Sequence, residues 1–189
     1  MFIENSMDTD INRPLPQHIF ITGTVGVGKT TLIKESLLPW IASAGGFYTE
    51  EVRTNGRRQG FMLKTLHGEE TLFALKGRKN PHRIGKYGVD INAFEEIGVS
   101  ALEDALKNKK IIVIDEIGSM ELLSPKFHEV FLRLLSSDRN LLATIRLNSQ
   151  PFTDDISRFE RKKMFHLSHE NFVDIKKYIQ WWLGRCSEK

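Results

Sequence analysis

The chain is short of cysteine, of long apolar runs and of charge of one sign, and each shortage closes off a class of protein. Its single cysteine, Cys186, cannot form an intrachain disulfide. No disulfide framework holds the fold, and a reducing compartment, the cytoplasm, is the expectation. The longest aliphatic run, Ile111 to Ile114, is far below the roughly 20 apolar residues that a membrane helix needs. The opening MFIENSMDTD has neither the basic start nor the apolar stretch of a secretory signal, so the chain reads as soluble. Its 27 basic and 24 acidic residues are interleaved and leave a net charge of only +3, so charge gives no sign of nucleic-acid binding. Repeats, low-complexity tracts and heptads are absent, which removes solenoids and coiled coils. His166 and His169 straddle a strand end without cysteine or acidic partners at ligand spacing, so no structural zinc is expected.

What is present is one domain's worth of chain: 189 residues, 40% of them hydrophobic. Residues 1–16, polar and ending in Pro14 and Pro16, read as a lead-in to a domain over 17–189. The run His18 to Thr22 reads as a buried strand, and Ile33, Leu37 and Ile41 then fall at helical spacing. Gly46 to Arg53 reads as a second strand. Phe61 to Leu66 and Thr71 to Leu75 then form a hairpin turning at His67-Gly68. Gly77 to Asp90, basic and without apolar period, reads as a mobile loop that could act as a lid. A helix from Asn92 leads into the strand Ile111 to Ile114. Ser124-Pro125 opens a helix carrying Phe127, Val130, Phe131 and Leu134, and Leu141 to Ile145 is the next strand. Past Pro151 come a short helix from Asp154 to Arg161, a strand over Met164 to Leu167, and a last helix burying Phe172, Ile175, Ile179 and Trp182. Alternating strands and helices predict a three-layer α/β/α domain with a mostly parallel sheet of about five strands and a small β-hairpin excursion.

The segment Gly23-Thr24-Val25-Gly26-Val27-Gly28-Lys29-Thr30 meets the pattern G-x-x-x-x-G-K-[ST] between a strand and an amphipathic helix. Such a loop turns backbone N–H groups inward around a polyanion and hands it to a helix N-terminus. Lys29 brings a point charge to the β- and γ-phosphates, the Thr30 hydroxyl suits Mg²⁺, and Thr31 reaches the α-phosphate. The bland alternative is a glycine-rich turn that binds nothing. Asp115 ends an aliphatic strand at the sheet's ligand edge, where a carboxylate can hold Mg²⁺ opposite Thr30. Glu116 beside it can orient or deprotonate a water in line with the γ-phosphorus, which favours hydrolysis. Thr144 is a lesser candidate for touching that water or the γ-phosphate, and Arg53, Arg57, Arg58, Arg78, Arg83 and Arg146 are the candidates for an arginine that neutralises developing charge.

Three words in order, Gly46 to Arg53, Gly85 to Asp90 and Ile114 to Leu122, resemble the small nucleoside-triphosphatase family first described from thermophiles, which includes a human cancer-related member. The resemblance runs from about Ile19 to the last helix. It implies a RecA-like P-loop fold, with another strand between or beside the loop strand and the acid-tipped strand. It also implies Mg²⁺-dependent hydrolysis of ATP, GTP and other nucleoside triphosphates. Gly23 to Thr31 fall on the family's phosphate loop, Asp115 on its metal-side aspartate and Glu116 on its catalytic glutamate. Two departures stand out: Thr24-Val25 occupy positions that often hold proline, and Glu170-Asn171-Phe172 opens the last helix where Asn-Arg is usual. A monomer acting on free nucleotides is the expectation, with no protein partner identified. A nucleoside or nucleotide kinase and a nucleotide-dependent switch or adaptor are the alternatives, separable by a second substrate or by partner-stimulated turnover.

Overall fold

In the computed structural model residues 15–146 and 151–187 are described. Most of the expected lead-in falls outside them, but its last two residues are tied to the core: Leu15 packs among apolar side chains, and the Pro16 carbonyl accepts a 2.7 Å hydrogen bond from Trp182 Nε1.

The chain opens with β1 (His18–Thr22) and α1 (Lys29–Leu37). Pro39 ends the α-helix early, because its ring is incompatible with a continuing α-helix and it has no N–H to donate. A 3₁₀ segment, Leu38–Ser43, follows and leaves Ile41 exposed rather than on a helical apolar face. Next come β2 (Ala44–Thr54), β3 (Arg57–Thr65) and β4 (Glu70–Lys76), with the β3–β4 turn at the expected His67-Gly68. The stretch expected as a basic loop holds a short hairpin instead, β5 (Arg83–Ile84) and β6 (Tyr87–Val89). Two and three residues are too few to show a period, and the pairing of β6 with β4 supplies the order that local sequence lacks.

A helix then runs through α2 (Ile91–Phe94), a π-helical segment (Glu95–Val99) and α3 (Ser100–Asn108) into β7 (Ile111–Ile117). The Ser124 hydroxyl caps α4 (Pro125–Ser136) by accepting from the Phe127 N–H at 3.0 Å, with proline in the first turn, as the sequence reading expects. β8 (Asn140–Ile145), α5 (Phe152–Arg158), β9 (Lys162–His166) and α6 (Phe172–Ser187) complete the chain.

Among the described residues, all nine strands join one sheet in the order β5-β6-β4-β3-β2-β7-β8-β1-β9. From β2 to β9 the neighbours are parallel, which is the expected five-stranded core; from β3 to β5 they are antiparallel, a larger extension than one hairpin. In the α/β/α sandwich β1 and β7 are separated by β8 alone. Both are buried along their apolar runs because helices cover both faces: Phe20, Ile112 and Ile114 meet Phe94, Phe127 and Phe131 on one side, while Ile19, Ile21 and Val113 meet Leu32, Ile179 and Trp182 on the other. Leu63, Phe73, Ala74, Tyr87 and Val89 of the antiparallel extension all belong to the first of these cores. Among the described residues no helix is long and apolar enough to cross a membrane.

Candidate functional site

Register places the candidate residues at one edge of the sheet. Ile21 pairs with Thr144, and Ile114 pairs with Ala143 immediately before it, so the ends of β1, β7 and β8 come level where Thr22 turns into the glycine loop. At the far end of that loop Gly28 has φ +101, a left-handed backbone that favours glycine, and it caps α1 so that Lys29 begins the helix. Thr24, Val25 and Gly26 form an exposed crown, while Val27 anchors the loop in the core.

Lys29 is buried, and its Nζ donates to the carbonyls of Gly23 (3.1 Å) and Thr24 (3.2 Å) while lying 3.8 Å from Glu116 Oε2. Asp115 is almost wholly buried. The Thr144 hydroxyl donates to its Oδ1, the Thr30 hydroxyl is a second partner, and its Oδ2 has no hydrogen-bond partner. Burial pushes the Asp115 carboxyl up, against the pull of the two hydroxyls. Thr144 is thereby placed on the aspartate. No cluster of three or more metal-ligating side chains occurs among the described residues. Magnesium does not need one, since it takes one or two carboxylates and completes its shell with phosphates and water. A buried carboxylate oxygen with no donor, beside a threonine hydroxyl at the foot of the loop, fits that cation.

Glu116 sits a residue beyond, where the β7–β8 register shifts between Ile114 and Ile117. The shift lets its side chain project into a cavity of about 480 Å³ floored by Gly26, Gly28, Lys29, Thr30 and Thr31. The opposite wall comes from β2 and β3, with Thr49, Glu50, Glu51, Arg58 and Phe61. Of the six candidate arginines only Arg58 and Arg146 line this cavity, and Arg146 Nε donates to Glu116 Oε1. Arg53 pairs with Glu51 and Arg78 with Asp90; Arg57 and Arg83 are outside the lining.

Sequence reasoning missed three features of the site. Lys34 bridges to Glu50 at 2.5 Å and lies 3.8 Å from the centre of the Tyr48 ring. Its carboxylate partner is thereby held below the usual range. Phe61 arrives from a strand with no local sign of proximity to the loop. Glu121 is buried behind Glu116 with its Oε2 accepting the Gly118 N–H at 2.9 Å; burial, with the Glu116 charge adding to it, pushes its pKa up to about 7. A glutamate inside an otherwise apolar word, Ile-Gly-Ser-Met-Glu-Leu-Leu, was the available signal.

Comparison with known proteins finds relatives over most of the chain. A family model described as NTPase matches residues 18–180. The chain is 47% identical to the nucleoside-triphosphatase THEP1 of Thermotoga petrophila over 85% of its own length and 89% of the relative's. To the human cancer-related nucleoside-triphosphatase it is 36% identical, over 83% and 91% of the two chains. Among solved structures it is similar to THEP1 from Aquifex aeolicus, with a TM-score of 0.78 at 37% identity, covering 88% of this chain and 98% of that one. The human protein's solution structure gives 0.72 at 35%, covering 87% and 97%. On a match that spans nearly the whole sheet and its helices, the chain belongs to the NTPase family that includes these thermophile and human nucleoside-triphosphatases.

Proposed function

We propose that residues 17–189 form one catalytic domain that hydrolyses ATP, GTP and other nucleoside triphosphates to the diphosphate and phosphate, with Mg²⁺. The observation that carries this reading is the position of Glu116. Its carboxylate is 3.8 Å from the Lys29 ammonium, hydrogen-bonded by Arg146, and faces the cavity above the glycine loop. The N–H groups of Gly23 to Thr31 hold the phosphate chain, with Thr31 nearest the α-phosphate end. Thr30 and Asp115 would hold a magnesium ion, which would supply positive charge against the phosphates. Lys29 leaves the loop carbonyls for phosphate oxygens. Glu116 orients a water in line with the γ-phosphorus and takes its proton. Arg146 keeps Glu116 aimed through its hydrogen bond to Oε1, and can also meet charge growing on the γ-phosphate.

The lone cysteine and interleaved charges support a cytoplasmic protein that works on free nucleotides. Phosphate release from ATP, GTP, CTP and UTP with and without Mg²⁺ tests the reading, using Glu116→Gln. The variant should bind nucleotide normally and turn over about 10²–10⁴-fold more slowly, the usual contribution of a general base. Turnover at the parental rate would remove Glu116 from the mechanism.

A further inference from the structure

A second cavity, of about 400 Å³, opens beside the first and shares Thr49, Arg58, Phe61, Glu116 and Arg146 with it. Its own walls are Phe73 of β4, Ile84 and Tyr87 of the β5–β6 hairpin, and Met120 and Glu121 after β7. The volume lies within the roughly 300–1,000 Å³ typical of small-molecule sites. Two features point to an organic ligand. The rings of Phe61 and Tyr87 meet edge to face at 5.4 Å, and the Arg58 guanidinium lies 5.4 Å from the Phe61 ring centre, so a planar ring has aromatic and cationic faces to stack on. Arg58 Nε is buried without a hydrogen-bond partner, and Glu121, poised near neutrality, can donate to or accept from a ring heteroatom. The glycine loop contributes nothing to this second cavity, whereas Glu116 borders both. A molecule here would therefore share Glu116 with the proposed triphosphate site without touching the glycine loop, as a separate nucleophile needs.

We infer that this cavity binds a second substrate, a planar heterocycle of nucleoside size bearing a hydroxyl group, and that this hydroxyl can replace water as acceptor of the γ-phosphoryl group. The inference rests on the nucleotide site proposed above. The acceptor oxygen bonds to the γ-phosphorus while the bond from phosphorus to the β–γ bridging oxygen breaks, its electron pair leaving with the diphosphate. The acceptor proton passes to the Glu116 carboxylate and on to solvent. Water reacts in the acceptor's absence, which reconciles a cavity of this size with a nucleoside-triphosphatase.

The test gives the full chain γ-labelled ATP and Mg²⁺ with adenosine, guanosine, cytidine or uridine, and separates labelled phosphate from labelled phosphate ester. At least one nucleoside should yield the ester. Ile84→Trp, which fills the second cavity without touching the first, should cut ester formation at least about tenfold and leave phosphate release within about twofold. Phosphate release that persists while no nucleoside yields ester overturns the second-substrate inference and leaves the hydrolase reading standing. An Ile84→Trp variant that instead raises the KM for ATP overturns it too, by showing that the cavity holds the triphosphate's own base. Loss of both products in Glu116→Gln with neither lost in Ile84→Trp would keep the hydrolase and again sink the acceptor pocket.

Discussion

The two halves of the sheet are built on different principles. The parallel half, β2-β7-β8-β1-β9, is covered on both faces, and its strands β1, β7 and β8 are buried almost throughout. In the antiparallel half, β3-β4-β6-β5, only the three residues of β6 are buried throughout, and the buried apolar residues feed a single core. The parallel half brings the glycine loop, Asp115 and Glu116 to one edge by register. The antiparallel half contributes no comparable motif but supplies the wall, Arg58, Phe61, Phe73, Ile84 and Tyr87, that encloses what lies beyond Glu116. On the reading proposed above, one half holds the nucleotide and the other lines the space beside it.

The largest effect should come from inside the parallel half, where β2 runs beside β7. At Gly46, φ is +112 and a Cβ would stand 2.1 Å from the Val113 carbonyl oxygen. Gly46→Ala should cost about 2–5 kcal/mol, combining left-handed strain with overpacking, as measured by denaturant unfolding. Gly60→Ala, in β3, meets the Ala74 carbonyl oxygen at 2.3 Å but without a positive φ, and should cost about 1–3 kcal/mol. Equal losses would mean that the halves are equally tolerant.

Activity should divide the halves next. Lys29→Ala should lower phosphate release about 10²–10³-fold, as removal of a transition-state charge partner does. Arg58→Ala on the antiparallel side should lower it less than about tenfold, because Arg58 is engaged with Glu51. A larger loss for Arg58 would make it the charge-neutralising arginine and bring the antiparallel half into the chemistry.

Stability against pH gives a smaller effect. Glu121 has a pKa raised from 4.5 to about 7, so the folded chain keeps a proton that the unfolded chain releases between those values. Its contribution is full below pH 4.5 and is lost as pH rises to about 7. Glu121→Gln, with Glu116 and Arg146 as the neighbouring charges, should gain up to about 3 kcal/mol over the parent at pH 8. His18 in β1 acts in the opposite sense: burial lowers its pKa from 6.5 to about 4, so its contribution is present above 6.5 and lost as pH falls to 4. Thermal midpoints from pH 4 to 8 for Glu121→Gln and His18→Gln should therefore move in opposite directions. The smallest effect is the cap of α4, where Ser124→Ala removes the acceptor for the Phe127 N–H and the 2.8 Å donor to Glu95. About 1 kcal/mol is expected, readable as a lower Tm.

Legibility followed the same division. The parallel strands were readable because burial on both faces demands continuous apolar runs such as Ile111 to Ile114, and the helices between them carry caps and 3.6-residue spacing. The β5–β6 hairpin was misread as a loop because its few residues are ordered by pairing with β4, a contact set by the fold. Arg146 could not be chosen from six arginines, nor Glu121 from the other acids, because what distinguishes them is the company of Glu116, and no local spacing encodes it.

Sequence alone determined the glycine loop between a strand and a helix, since its pattern is eight consecutive residues long, and it determined the acid-tipped strand, whose continuous apolar run is buried. Only the tertiary structure decided that Thr144 attends Asp115, that Arg146 holds Glu116, and that Phe61 and Tyr87 wall a second cavity. The physical reason is range. Backbone conformation and burial pattern are written over neighbouring residues, whereas a cavity exists only where strands far apart in the chain are brought into register.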